Sequence, residues 1–360
     1  MPTTLGNFSG RSVRSPVVKR IAAVYVVLVA LNLLGWLLAF WAFSSHPILL
    51  GTALLAYTFG LRHAVDADHI SAIDNVTRKL MQEGKRPVGV GFYFSLGHSS
   101  IVVALTVAIA IGAGMVKAHL PGLQEAGELI GTSVSATFLF LVAAINLAVL
   151  LDIARAFRDA RRHSAYNGSS IDDMLNRRGF ISRFFRPLLR LVDASWKMYP
   201  IGVLFGLGFD TATEVGLLAI AAVEAGKGLP VFDILVFPLL FTAGMSLLDT
   251  TDGILMLGAY GWAFVKPLRK LYYNMTITLV SVLVALVVGG IEACSVISSR
   301  LGLVGGVWNA VRTLSDNFEL IGFLIVGIFI ASWLISMAVY RLQRYDQLEI
   351  ETTPSFVEGV

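Results

Sequence analysis

Eight long runs of apolar residues, separated by short polar or basic segments, make up most of this 360-residue sequence. An α-helix needs about 20 consecutive apolar residues to cross the hydrocarbon core of a bilayer. Only 14% of the residues are charged, whereas about a quarter are charged in a typical soluble domain. The sequence therefore predicts an all-α polytopic membrane protein with about eight transmembrane helices, at 21–43, 48–76, 88–116, 130–153, 199–224, 230–260, 272–294 and 318–340.

The distribution of Lys and Arg predicts how these helices are oriented. Of the 28 Lys and Arg residues, 23 lie in segments on one side of the predicted membrane, 4 lie on the other side, and Arg62 lies inside a helix. Because cytoplasmic loops are enriched in Lys and Arg, we expect both termini in the cytoplasm and the helices in the cytoplasmic membrane. The predicted divisions are an N-terminal tail at 1–20, a transmembrane domain at 21–340 with a basic cytoplasmic loop at 154–198, and a C-terminal tail at 341–360.

The positive charge does not indicate a nucleic-acid partner. The net charge is +4, and the basic residues are spread over several loops instead of forming one folded face. A basic loop on the cytoplasmic side is expected to lie near anionic lipid headgroups. The predicted partners are therefore membrane lipid and a small substrate, and the sequence leaves the oligomeric state open.

Polar residues inside the predicted helices constrain the function most strongly. We single out eight acidic side chains in these helices, against one arginine, because a charged side chain at a helix centre costs about 2.5–3.5 kcal/mol. So many buried carboxylates require protonation, water or a bound cation as compensation. The acids are Asp66, Asp68, Asp74, Asp210, Glu214, Asp249, Asp252 and Glu292, and His63, His69 and His98 lie among them.

The cluster at 63–69 combines imidazole and carboxylate groups within seven residues of one predicted helix. Imidazole suits zinc, copper, nickel and cobalt, whereas oxygen ligands alone suit magnesium, calcium or manganese. The single cysteine, Cys294, excludes an iron–sulfur ligand set. On a continuous helix His63, Asp66 and His69 share one face and Asp68 lies on another. Either Asp68 has a different role, or the helix is locally unwound.

Two stretches of the sequence resemble each other and predict an inverted repeat. Phe59-Gly60-Leu61 precedes the His/Asp cluster, and Phe205-Gly206-Leu207 precedes Asp210 and Glu214; a second pair of matching segments begins at Phe94 and at Phe241. This spacing relates helices one to three to helices four to six, with two further helices appended. Secondary transporters are commonly built in this way, with the ion site at the repeat interface. The second and sixth helices are long for one crossing, which tilt could accommodate, as could a break at Gly60 or Gly244, with Pro238 as a further kink point.

The motifs resemble those of the nickel/cobalt transporter (NiCoT) family over essentially the whole chain. Segment 62–70, RHAVDADHI, is similar to the HX4DH signature of that family, and three further motifs follow in the family's order: LGHSS at 96–100, LGFDTATE at 207–214 and GMSLLDTTD at 244–252. The resemblance implies a high-affinity permease that takes up Ni²⁺, Co²⁺ or both as transported substrate, without a cofactor. The predicted metal-site residues are His63, Asp66, Asp68, His69, His98, Asp210, Glu214, Asp249 and Asp252.

The side-chain chemistry of the polar residues predicts different roles for them. Neutral His63 and His69 are expected to select the metal, and the hydroxyls of Thr211, Thr213 and Thr250 to orient the carboxylates. Arg62 is expected to neutralise a carboxylate when no metal is bound.

Two alternatives to uptake remain at this point. The same ligands would serve an exporter, although the loop at 154–198 contains a single histidine, His163, which favours import. An intramembrane metalloenzyme would use a bound metal to activate water, but the compact H-E-x-x-H motif does not occur in the sequence. Nickel and cobalt prefer such similar ligands that the sequence does not rank them.

Overall fold

The computed structural model describes residues 11–162, 192–208, 211–263 and 267–342. Within these ranges every regular element is helical, which confirms the prediction of an all-α protein. We number the α-helices α1 to α11, and a short 3-10 helix, Ser195–Lys197, precedes α5. They are α1 Arg11–Ala42, α2 Ile48–His63, α3 Ala67–Gln82, α4 Val90–Arg162, α5 Met198–Phe205, α6 Ala212–Gly226, α7 Val231–Ile234, α8 Val236–Ala263, α9 Pro267–Leu301, α10 Gly306–Ser315 and α11 Phe318–Leu342.

Five straight stretches among the described residues are long and apolar enough to cross a membrane: Pro16–Ala42, Val90–Gly112, Leu129–Ala148, Val231–Ala259 and Met275–Leu301. Two bent pairs pass the same criterion together, α2 with α3 at 52° and α10 with part of α11 at 75°. The structure thus confirms a multi-pass membrane protein with five to seven candidate spans in its described part. The count of eight stays a prediction, because α5 and α6 flank residues 209–210, which lie outside the described residues.

The helix breaks do not occur where the glycines suggest. The second predicted span is interrupted after His63, at residues 64–66, whereas Gly60 remains inside α2. Helix α8 continues without interruption through Pro238 and Gly244. Pro238 is tolerated because it is the third residue of α8, where the backbone N–H would have no acceptor within the helix.

The glycines serve close helix packing instead. A Cβ atom at Gly60 would clash with the carbonyl oxygen of Phe241, and one at Gly244 would lie 2.7 Å from the carbonyl oxygen of Tyr57. Gly206, at the end of α5, approaches His98 of α4 in the same way, with 2.7 Å from a Cβ atom to the carbonyl oxygen. Small residues allow helix backbones to approach closely in membrane proteins. Helix α2 therefore packs on α8, and α5 packs on the first part of α4.

Helix α4 covers both the third and the fourth predicted spans. The backbone leaves helical geometry at Gly112, where φ is −112° and ψ is 28°, and helix resumes through the segment that connects the two spans. That segment contains Pro121, Gly122 and Gly127 beside the good helix formers Ala, Leu, Glu and Gln. Helical backbone nevertheless continues through 117–129.

The outside of the bundle is apolar, as expected for surfaces that face lipid. Trp41 is 75% exposed and Leu255 is 66% exposed, whereas His63, His69 and His98 are at most 2% exposed. This distribution inverts the arrangement of a soluble protein and places the polar chemistry between the helices.

Candidate metal centre

Three imidazole rings meet where α2 ends, α3 begins and α4 passes them. His63 is the last residue of α2, His69 lies in the first turn of α3, and His98 lies on α4. One ring nitrogen from each histidine lies within 4.8 Å of the other two. The Nε2 atoms of His63 and His98 are 3.0 Å apart. The three ring nitrogens therefore surround one point, where a metal ion could bind.

The break between α2 and α3 makes this convergence possible. Residue Asp66 has extended backbone, with φ −61° and ψ 143°, and it precedes the first residue of α3. Its side chain does not cap α3; Asp66 Oδ2 lies 2.7 Å from His63 Nδ1. A carboxylate on one ring nitrogen orients the ring and leaves the other nitrogen for a metal. Of the two alternatives, the structure therefore shows the locally unwound helix.

Two carboxylates approach the histidines from other helices. Glu214, in the first turn of α6, has its Oε1 atom 2.8 Å from His98 Nε2 and 3.9 Å from His63 Nε2. Asp249 of α8 has its Oδ2 atom 3.4 Å from His69 Nδ1. The cluster thus combines three imidazoles and two carboxylates from helices far apart in sequence, which is the mixed nitrogen/oxygen chemistry that borderline divalent cations accept.

Threonine hydroxyls line the same cluster. The Oγ1 atoms of Thr211 and Thr213 each lie 3.4 Å from His63 Nδ1. Thr211 also donates to Glu214 Oε2 at 3.1 Å, and it accepts from the backbone N–H of Glu214 as the N-cap of α6. The hydroxyl of Thr250 is buried and has no hydrogen-bond partner among the described residues.

Several buried polar atoms at the centre have no hydrogen-bond partner in the described part of the chain. They include His69 Nε2, His98 Nδ1 and Asp249 Oδ1. Buried polar atoms in proteins are usually hydrogen-bonded, so this cluster of unpaired nitrogen and oxygen atoms is a candidate place for a cation.

The structure brings together six of the nine predicted site residues: His63, Asp66, His69, His98, Glu214 and Asp249. Asp68 is half-buried in the first turn of α3, and Asp252 lies one turn beyond Asp249 on α8. Asp210 lies outside the described residues, as does His163.

Arg62, which is expected to neutralise a carboxylate, pairs with one that is not among the eight acids singled out in the sequence. Arg62 donates to Glu319, in the first turn of α11. The sequence did not single out Glu319, because it lies at the edge of its apolar run. Glu292 accepts from the hydroxyl of Ser135 at 2.8 Å, which joins α9 to α4 away from the histidines.

Sequence reasoning also missed a buried polar cluster on α3. Arg78 and Lys79 were counted as charges of a cytoplasmic segment, but they are only 1% and 5% exposed. Asn146 of α4 donates to Asn75 Oδ1 at 2.7 Å, and Arg78 donates to the same oxygen at 2.9 Å. The available signal was the spacing of Asp74, Asn75 and Arg78, which places them on neighbouring turns of one helix.

Comparison with known proteins identifies the family. A family model described as a high-affinity nickel-transport protein matches residues 49–339. The chain belongs to this nickel-transport family. It is 56% identical over 331 residues to a high-affinity nickel transport protein of Cupriavidus necator, covering 92% of this chain and 94% of that protein.

More distant relatives are similar over nearly the same length. The nickel transporter NicT of Mycobacterium tuberculosis is 44% identical, covering 93% of this chain and 92% of the relative. The cobalt transport protein NhlF of Rhodococcus rhodochrous is 40% identical, covering 88% and 90%. No solved structure matches this chain. Membership in a family of transport proteins confirms the resemblance found in the four motifs and disfavours the metalloenzyme alternative.

Proposed function

We propose that this protein takes up Ni²⁺, Co²⁺ or both across the cytoplasmic membrane as a secondary transporter. The observation that carries the proposal is the buried cluster of three histidines, each offering a ring nitrogen within 4.8 Å of the others. Relatives named as nickel and cobalt transport proteins, similar along almost the whole chain, support this choice of cations.

The cluster supplies a suitable ligand set for either metal. In this proposal His63, His69 and His98 provide nitrogen, and Glu214 and Asp249 provide negatively charged oxygen. Asp66, Thr211 and Thr213 hold His63 and Glu214 in position through the contacts at His63 Nδ1 and Glu214 Oε2. Such supporting contacts typically change metal affinity by about 10–100-fold when they are removed. Asp68, Asp210 and Asp252 act along the same pathway.

The helix break beside the site supports a transport cycle. In many secondary transporters, discontinuous helices carry the ion site and the two repeats rock around it. Here α2 ends and α3 begins at the cluster, and α6 begins there with Thr211 and Glu214. A rearrangement of these segments would expose the bound cation to each side in turn.

Uptake is the direction favoured by the membrane potential. A divalent cation that moves inward across 100 mV gains about 4.6 kcal/mol, twice the value for one charge. The potential alone therefore supports accumulation of the metal in the cytoplasm.

The decisive experiment measures accumulation of ⁶³Ni²⁺ and ⁵⁷Co²⁺ at nanomolar supply in cells that express this chain. We expect saturable uptake that His69→Ala abolishes and that excess Mg²⁺ or Mn²⁺ does not inhibit. His46→Ala is the matched control, because His46 is exposed and bonds its neighbour Ser45 away from the cluster. Accumulation below that of empty cells would show export, and no saturable transport of either isotope by protein present in the membrane would refute the proposal.

A further inference from the structure

One ion pair beside the metal centre reaches the surface of the protein. The side chain of Arg62 is 57% exposed and that of its partner Glu319 is 25% exposed, whereas the next residue in the chain, His63, is only 2% exposed. Because an exposed charge is costly in lipid, this pair faces water or lipid headgroups. A polar surface thus lies one residue away from the histidine cluster.

The start of α11 contacts the break between α2 and α3 at two points. Arg62, the second-last residue of α2, donates to Glu319 in the first turn of α11. One turn further along α11, Gly322 lies against the carbonyl oxygen of Val65, and a Cβ atom at this glycine would clash with that oxygen. Val65 belongs to the non-helical segment 64–66. One contact is therefore an ion pair, and the other is close backbone packing.

Apolar contacts hold α11 to α3. A Cβ atom at Gly322 would lie 3.2 Å from Ile70 Cδ1, and Ile325 and Phe329 of α11 are buried in the same core as Ile70. The Arg62–Glu319 pair links this apolar unit to the end of α2. Because an exposed ion pair contributes little to stability, this link can open while the apolar contacts between α3 and α11 stay intact.

We propose that Glu319 is a positioning residue for transport: its ion pair with Arg62 is a latch that closes the outer route to the metal centre and opens in each transport cycle. The inference rests on the proposed function and on the predicted orientation, in which the segments before α2 and α11 lie outside. Glu319 acts through Arg62 and does not bind the metal. When the latch opens, the end of α2 moves away from α11 and His63 becomes accessible from outside.

The latch lies next to the contacts that orient the cluster. His63 directly follows Arg62, and Asp66, whose Oδ2 atom lies 2.7 Å from His63 Nδ1, directly follows Val65. A movement of α2 relative to α11 therefore changes where the His63 ring lies with respect to the ligands of α4 and α6. Entry of the cation and assembly of its ligands are in this way parts of one movement.

The test locks the latch covalently. Cys294 is the single cysteine of the sequence, so Cys294→Ala gives a background without thiols, into which Arg62→Cys and Glu319→Cys are introduced together. A bifunctional methanethiosulfonate reagent then joins the two thiols in cells. We expect ⁶³Ni²⁺ uptake to fall to background after cross-linking and to recover when a reductant cleaves the link. A purely structural ion pair predicts full uptake, because the covalent link would only replace it.

The matched control is Ser45→Cys/His46→Cys in the same background. Both residues are exposed in the segment between α1 and α2, on the same predicted side of the membrane as the latch. Their cross-link joins neighbours within one loop and restrains no movement between helices. Uptake by this control should be the same before and after the reagent, which shows that the reagent itself does not inhibit transport.

A second measurement tests the latch without cysteines. Purified full-length chain in detergent is loaded with ⁶³Ni²⁺ and chased with unlabelled Ni²⁺. Glu319→Gln should release the bound ion on the order of fivefold faster, because the route stays open. The Kd should change less than the release rate, since an open route speeds entry as well. The charge-swapped variant Arg62→Glu/Glu319→Arg should restore slow release.

The outcomes separate this inference from the proposed function. If the cross-linked chain transports as fast as the reduced chain, the latch is refuted and the proposed function stands. If the wild-type chain accumulates neither Ni²⁺ nor Co²⁺, the proposed function fails and the latch with it. Should the reduced cysteine pair not transport, the release rate decides: faster release from Glu319→Gln that the charge swap reverses supports the latch, and unchanged release overturns it.

Discussion

The junctions between α2 and α3 and between α5 and α6 share the backbone conformation of the residue before the second helix, but they differ in chemistry. Each has extended backbone just before its second helix: Asp66 has φ −61° and ψ 143°, and Thr211 has φ −87° and ψ 142°. Each second helix carries an acid in its first turn, Asp68 in α3 and Glu214 in α6. The first junction adds imidazoles, whereas the second supplies hydroxyls and a carboxylate.

Because of this difference, the two junctions make different contacts at the cluster. At the first junction Asp66 leaves α3 without a side-chain cap and contacts His63 instead. At the second junction Thr211 caps α6 and also donates to Glu214. In the proposed function, the first junction thus provides nitrogen ligands and the second provides oriented charge. The packing of α2 on α8 and of α5 on α4 agrees with the predicted repeat, which remains a prediction.

The largest effect is expected from His69 of the first junction. His69→Ala should reduce ⁶³Ni²⁺ uptake to background, because a nitrogen ligand is lost. His69 is fully buried and its ring packs edge-to-face on Phe94, so the substitution also costs packing energy, and uptake must be compared at equal amounts of protein. Uptake normalised to the amount of protein in the membrane measures the effect. Normal saturable uptake in this variant would remove His69 from the site.

A smaller but still large effect is expected from Glu214 of the second junction. Glu214→Gln keeps the shape and an oxygen acceptor for His98 Nε2, now 2.8 Å from Glu214 Oε1, but removes the charge. The concentration for half-maximal uptake should rise by about 10–100-fold, with less change in maximal rate. Glu224→Gln provides a control, because Glu224 pairs with Lys227 at the far end of α6. An unchanged half-maximal concentration in Glu214→Gln would mean that the carboxylate charge does not act on the metal.

Alanine substitutions of the glycines before the two junctions should each lower the stability of the protein. Gly60→Ala places a methyl group against the Phe241 carbonyl oxygen, and Gly206→Ala places one 2.7 Å from the His98 carbonyl oxygen. Overpacking of this kind typically costs about 1–3 kcal/mol, and it should lower the unfolding temperature in detergent.

Gly51→Ala is the control for both, because a Cβ atom there has nothing within 4 Å. A lower unfolding temperature for one glycine variant and not for the other would argue against equivalent packing of the two halves. Equal stability of all three variants would contradict the close helix contacts.

The smallest effect is expected from the helix cap of the second junction. Thr211→Val removes the acceptor for the Glu214 N–H and the donor to Glu214 Oε2, which lies 3.1 Å from the hydroxyl. Loss of an N-cap costs about 0.5–2 kcal/mol. We expect a modest fall in thermal stability together with weaker metal binding, and Thr211→Ser should restore both. Recovery of stability without recovery of binding in Thr211→Ser would limit Thr211 to capping.

The residue types of the site were predictable because ionisable groups are rare in apolar helices. His63, His69 and Asp249 are recognisable in the sequence as polar residues that lipid does not tolerate. Arg78 escaped this reasoning, since it lies at the edge of an apolar run, where a charge normally indicates a loop. Its burial depends on how far α3 extends past the histidines, and tertiary packing determines that length.

The sequence by itself determined the all-helical membrane architecture and the family, because these follow from run length and motif, and it predicted the chemistry of the candidate ligands from side-chain type. Tertiary structure alone decided that α2 stops at His63, that Glu214 and Asp249 meet the three histidines, and that Arg62 pairs with Glu319. These features join residues up to 257 positions apart. Contacts at such separations depend on how the helices pack against one another, and hydrophobic periodicity along one helix carries no record of its partners.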